Sequence, residues 1–221
     1  MSKLVLALLP PLGVMLLSVV SLASAAPERY QVDAQRSRLF VMVFKDPEAL
    51  GAKLSHDHVV RARAFSADIV WDTKAPEACE VSFVIQVASL DPDPPPLRKR
   101  VGLTRMLTES DRAQVKANLL QRDQLWGAKH PTIRFAATTC ARRGAGVDVT
   151  GPLTLRGVTR HVTVPMTLGI DAETGELTAS GSATIRHTWF GFKPYSALGG
   201  ALRNSDEMRL VIIVRGDRAT P

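Results

Sequence analysis

The stretch VTVPMTLGIDAETGELTASGSATI, residues 162–185, decides the fold. Val162, Val164, Met166, Leu168 and Ile170 alternate with Thr, Pro, Thr and Gly. After Asp171-Ala172-Glu173-Thr174-Gly175 the alternation resumes from Leu177 to Ile185, small apolar residues now alternating with Thr and Ser. A period of two sends neighbouring side chains to opposite faces, so each half reads as a half-buried strand. The connection is short and polar, which suits antiparallel neighbours, because a parallel return needs a long crossover.

The same signature recurs on both sides of this hairpin. Tyr30-Gln31-Val32-Asp33 precedes a continuous apolar run from Leu39 to Phe44. Val59 to Trp71, Val81 to Val87, Ile133 to Cys140, Val147 to Leu155 and Met208 to Val214 follow the β pattern, with Arg143-Gly144-Ala145-Gly146 as a further turn. The count is about eight strands. One interruption differs: the Pro-rich run Asp91–Pro96 is expected neither to continue a strand nor to open a helix cleanly. Thr108-Glu109-Ser110-Asp111 then reads as a helix start, and Val115 and Leu119 recur at helical spacing, predicting a helix from Glu109 to about Gln121 between the third and fourth strands. Eight antiparallel strands remove their exposed edges by closing into a barrel, which is filled by side chains or holds one small ligand.

The N-terminal stretch reads as an export signal rather than as fold. Lys3 is followed by the apolar run Leu4–Leu22 and by Ala23-Ser24-Ala25-Ala26, the order of a cleavable secretory signal. Pro10-Pro11 argues against a membrane-spanning helix. The expected organisation is a signal peptide over residues 1–25 and one domain over residues 26–221, with no membrane span after cleavage and location in the periplasm. The 221-residue chain has 28 Lys and Arg against 21 Asp and Glu, a formal charge of +7. The basic residues are scattered and do not interleave with aromatics, so nucleic-acid binding is not expected.

Several segments resemble the YceI-like family. They are Tyr30-Gln31-Val32-Asp33 with Ser37, Ala88-Ser89-Leu90-Asp91, His130-Pro131-Thr132-Ile133-Arg134-Phe135, and Ile185-Arg186 followed by Phe190-Gly191. The most specific is Val149-Thr150-Gly151-Pro152-Leu153-Thr154-Leu155-Arg156-Gly157-Val158-Thr159. The resemblance spans roughly Tyr30 to Arg215. It implies an eight-stranded antiparallel lipocalin-like barrel, exported to the periplasm, with a long polyisoprenoid lipid such as an isoprenoid quinone in its lumen and no catalytic residues. Arg36 stands where many members have His, and residues 50–58 and 191–202 also depart from the usual pattern.

An inward-facing apolar set follows from the strand parity: Phe40, Phe65, Ile69, Phe83, Ile85, Phe135, Leu153, Leu155, Val164, Met166 and Leu168. These residues serve equally as a filled core or as the lining of a tunnel. Ala179, Gly181 and Ala183, small and on one face, suggest space left open. Arg36, Arg186, Lys193 and Tyr195 are the candidates for holding a polar headgroup. His56 and His58, at i and i+2, share a face of an extended segment and are the only candidates for a metal, with His161 or His187 as a third donor. No nucleophile–base arrangement is recognisable, so an enzyme is not expected. No cofactor is implied. The rival readings are a structural or interaction barrel that binds nothing, and a His-based metal protein. Cys79 and Cys140 make an even pair suited to a disulfide outside the cytoplasm. Their strand parities disagree, so a bridge requires a bulge; two independent small residues remain the alternative.

Overall fold

The computed structural model describes residues 27–219; the segment read as an export signal lies outside them. In chain order the strands are β1 (Glu28–Val32), β2 (Arg38–Lys45), β3 (His58–Ala62), β4 (Phe65–Trp71), β5 (Glu80–Gln86) and β6 (Leu90–Pro92). Helices α1 (Pro95–Arg100) and α2 (Glu109–Leu120) follow. Next come β7 (Thr132–Ala136), β8 (Thr139–Arg143), β9 (Gly146–Leu155), β10 (Val158–Ile170), β11 (Leu177–Arg186), β12 (Ser196–Ala197) and β13 (Leu202–Arg218).

All pairings are antiparallel, and the path β1-β4-β5-β7-β9-β10-β11-β13 returns to β1, closing an eight-stranded barrel. The long β13 does this alone. One edge pairs with β11, from Leu177↔Gly216 to Arg186↔Glu207; the other pairs with β2 and then β1. Hence β1 and β2 are two halves of one bent staircase along β13, as β3 and β4 are along them, and β5 and β6 after that. The expected unbroken strand from Val59 to Trp71 is therefore kinked at Arg63-Ala64. Ser89 stitches this kink: its hydroxyl donates toward the carbonyls of Ala64 and Gln86 and accepts from the Ala64 N–H.

The glycines of the segment Val149–Thr159 have separate tasks. A Cβ on Gly151 would collide with the carbonyl of Ala136, so only glycine lets the neighbouring strand pass there. Arg156 (φ 54°) and Gly157 (φ 75°) both have positive φ and make the two-residue turn that pairs Leu155 with Val158. α2 begins one residue after Thr108, whose hydroxyl accepts from the Asp111 N–H at 3.1 Å while Asp111 accepts from the Thr108 N–H at 3.0 Å. The helix matches the one expected. α1 was not expected. It opens on Pro95, and a proline in the first turn costs nothing because its missing N–H has no helical partner there.

The barrel has two unlike ends. At the upper end the connections are residues 46–57, 93–131, 156–157 and 187–201; at the lower end they are residues 72–79, 144–145 and 171–176. Cys79 and Cys140 form a disulfide across the lower end, with Cα atoms 6.1 Å apart. The parity conflict is resolved by a bulge. Phe135 pairs with Leu153 and Thr139 with Thr150, so three residues on one strand face two on the other, and Cys140 turns inward opposite Val149. The bridge closes 61 residues of sequence. Replacing both cysteines by alanine is expected to cost about 4 kcal/mol at most in the chain-entropy account. Urea unfolding of the variant against the parent, each with and without reductant, measures it; only the parent should respond to reductant.

Candidate functional site

Inside the barrel lies a cavity of about 190 Å³. Its wall is apolar almost throughout. Ile69, Phe83 and Ile85 line one side, Phe135, Leu153 and Leu155 continue it, and Val164, Met166, Leu168 and Ala179 complete the set taken from the strand pattern. Phe40 borders the cavity too, but it packs in a separate buried cluster with Val59 and Leu97 beneath α1. On β2 it is Leu39, Val41 and Val43 that serve the lumen. The continuous apolar run hid this parity, because both faces of β2 are covered.

Three of the small or aromatic positions do not border the cavity. Phe65 is half-buried beside Phe83, with ring centroids 6.5 Å apart, and Ala183 packs against the core above the lumen wall. Gly181 leaves no lumen space, since a Cβ there would strike the Met166 sulfur and the Pro165 carbonyl. It sits where β10 and β11 part: their pairing runs only from Met166↔Gly181 to Ile170↔Leu177. Above that point the turn Thr188–Phe190 packs between the two strands, with Phe190 fully buried.

The upper end is covered by side chains from connections rather than by strands. Leu119 and Leu125 come from α2 and its following turn, and His187 and Phe192 from the β11–β13 connection. Leu119 belongs to the helical spacing of α2, but Leu125, His187 and Phe192 had no periodic signal in the sequence. Together with Arg134, the two polar residues Gln124 and His187 interrupt the apolar wall. The Gln124 Nε2 donates to the Lys193 carbonyl at 3.4 Å. His187 is 4% exposed; its Nδ1 lies 3.0 Å from the Asp206 carbonyl, and its ring meets Phe192 edge-on. Burial lowers the His187 pKa. The ring is therefore neutral, with Nδ1–H donating and Nε2 left as an acceptor.

The four expected headgroup residues are not brought together. Arg36 is on the outer wall, ion-paired to Asp217 at 2.6 Å, Asp33 at 2.7 Å and Glu176 at 3.4 Å, which correct its expected role. The hydrogen bonds it donates to Asp217 and Asp33 raise its pKa further. Arg186 pairs with Glu207 on the exposed side. Lys193 and Tyr195 do reach the upper rim, where the Tyr195 hydroxyl accepts from Asn118 Nδ2 at 3.2 Å.

His56 and His58 come together as their spacing predicted, with ring centroids 4.6 Å apart. His58 Nδ1 is committed to Asp93, 2.6 Å away, and among the described residues no three His, Cys, Asp or Glu side chains converge as a metal site. His187 is tied to Asp206, and His161 lies exposed on β10. Asp93 in turn holds Arg98, a guanidinium 1% exposed that also donates to the carbonyls of Asp57 and Arg105. Burial acts to raise the Asp93 pKa, but hydrogen bonds from His58, Val59 and Arg98 outweigh it and hold the carboxyl below its usual range.

Comparison with known proteins adds the family. The YceI-like domain matches residues 30–215. The chain belongs to the YceI-like family. A UPF0312 protein of Pseudomonas aeruginosa is 32% identical over 162 residues, 72% of this chain and 73% of that protein. Protein YceI of Escherichia coli is 30% identical over 100 residues, 45% of this chain and 43% of the relative. The crystal structure of Burkholderia cenocepacia BcnA superposes with a TM-score of 0.64 at 19% identity, over 86% of this chain and 99% of that one. A Campylobacter jejuni YCEI protein gives 0.55 at 19% identity, over 73% and 85%. Both solved folds thus agree with the barrel described.

Two outcomes test the electrostatics. Asp93→Ala strands a buried guanidinium and is expected to lower stability by about 3–5 kcal/mol, whereas adding Arg98→Met should restore much of it; urea midpoints of the two variants decide this. The second concerns His56, whose pKa burial lowers to about 4, with the neighbouring His58 acting in the same direction. The unfolded chain takes up this proton near pH 6.5 and the folded one does not, so stability falls as pH drops from about 6.5 towards 4. His56→Gln should flatten that fall in a series of urea midpoints.

Proposed function

We propose that this YceI-like barrel carries a single-chain apolar lipid of polyisoprenoid type in the periplasm. One observation carries the reading: the closed barrel is hollow, and nearly all of its lumen is hydrocarbon. A buried apolar void of this kind stays dry and gains from an apolar guest. Its volume accommodates on the order of eight methylene-sized groups, roughly one or two prenyl units; the rest of a longer chain extends through the upper end. About eight methylenes at about 0.8 kcal/mol each contribute about 6 kcal/mol before ordering costs. The tail needs no polar partner. For a guest whose chain ends within the lumen, the acceptor Nε2 of His187 and the Gln124 amide, both at the upper end, suit a hydroxyl or carbonyl headgroup. No catalytic role is assigned to any residue.

The periplasmic placement is supported by the Lys3–Ala26 pattern and by the Cys79–Cys140 disulfide, which suits an oxidising compartment. The test is solvent extraction of purified protein followed by mass spectrometry. A copurifying prenyl lipid is expected. Ala179→Phe, which fills the lumen from β11, should fold with an unchanged far-ultraviolet spectrum and lose most of that lipid. Protein without lipid that takes up no prenyl alcohol on titration would end the carrier reading, and bound zinc or copper in its place would favour the His56–His58 pair.

A further inference from the structure

Five large apolar side chains stand out into solvent among the described residues: Leu50, Leu54, Met106, Trp189 and Leu198. All five lie on connections of the upper end, and none on those of the lower end. Leu50 is 98% exposed, and Leu54 and Leu198 are 73% and 75% exposed. Scattered exposed leucines are ordinary on a protein surface, but their confinement to one end is not.

The loops that carry them are joined to one another. The Gly51 N–H donates to the Ala201 carbonyl at 2.8 Å, tying the Leu50 loop to the Leu198 loop. Arg105 Nη1 donates to the Leu54 carbonyl at 3.4 Å, tying in the segment that bears Met106. The buried Arg98 fastens the same segments from beneath, through the carbonyls of Asp57 and Arg105. Leu198 itself has φ 52°, held between the β12 strand and Gly199-Gly200 with its side chain outward.

Charge divides the molecule in the same way. The upper connections with their two helices carry eleven Lys and Arg against seven Asp and Glu; the lower connections carry one against five. The cations Lys53, Arg105, Arg122, Lys129 and Lys193 are exposed among the apolar tips. Trp126 has Lys129 over its ring at 4.4 Å and Arg122 at 5.1 Å. Separate apolar tips rimmed by cations match an anionic lipid surface, where side chains enter the headgroup layer and the charges meet phosphate.

From these observations we infer that the upper end of the barrel docks on an anionic phospholipid bilayer through Leu50, Leu54 and Leu198, with Met106 and Trp189 beside them. The docked end is the one where loops, not strands, cover the lumen, so an apolar guest passes between bilayer and cavity without crossing water. That last step rests on the carrier reading; the docking itself does not.

Full-length mature protein is tested by co-sedimentation with vesicles of phosphatidylglycerol and phosphatidylethanolamine, and with phosphatidylcholine vesicles. The parent should bind the anionic vesicles at least tenfold more tightly than the neutral ones. Leu50→Ser/Leu54→Ser/Leu198→Ser should bind them at least tenfold more weakly than the parent, at an unchanged melting temperature. Absence of parental binding, or equal binding by the variant, overturns docking. So does light scattering that shows a parental dimer lost in the variant, since the tips then meet a second copy. Lipid extracted from the same preparations separates the two readings: bound lipid without vesicle binding sinks docking alone, and vesicle binding without bound lipid sinks the carrier alone.

Discussion

β13 carries ladder hydrogen bonds along both edges, to β11 on one side and to β2 and β1 in succession on the other. That double pairing turns an open sheet into a tube, and the lumen exists only because of it. Closure removes the unpaired strand edges that an open sheet would offer to other chains. It also fixes which face of every strand is inside, since side chains alternate across the wall. The three bent strand pairs β1–β2, β3–β4 and β5–β6 let the wall curve while most backbone groups remain bonded, and Ser89 supplies what the kink at Ala64 leaves open.

The second organising contact is the buried Arg98–Asp93 pair. Taking two charges out of water is costly, and such a pair is weak evidence of net stability. What it does here is geometric. One guanidinium reaches Asp93 and the carbonyls of Asp57 and Arg105, so two upper connections, residues 46–57 and 93–131, share a single anchor. His58 holds the other oxygen of Asp93 and joins the anchor to the start of β3. Loops that would otherwise be independent are thereby held as one surface, whose apolar tips keep a common side.

The tube was legible in the sequence because β9, β10 and β11 alternate and the turns at residues 144–145 and 171–176 are short. The segment Val162–Ile185 shows both features, and β10 and β11 follow it. Less was legible where a residue acts on something distant in the chain. Nothing in Leu39–Phe44 tells which parity meets the lumen, since α1 covers the outer face as the lumen covers the inner one. The cysteine parities conflicted until the bulge beside Gly151 was placed, and that bulge is a property of two strands, not one. Leu125, His187 and Phe192 cap the cavity from irregular segments with no period to read. Arg36 looked free for a ligand, but its partners Glu176 and Asp217 are distant in sequence and arrive only with closure.

The cross-link between Cys79 and Cys140 ties the start of β5 to β8 at the end remote from those caps. A covalent knot at the base of a tube leaves thermal breathing to the rim, where strands β10 and β11 have already separated. Under the carrier function proposed above, such a vessel would fill and empty by one door. A guest that went in tail-first must come out head-first, so whatever recognises its head acts first on departure as well as last on arrival.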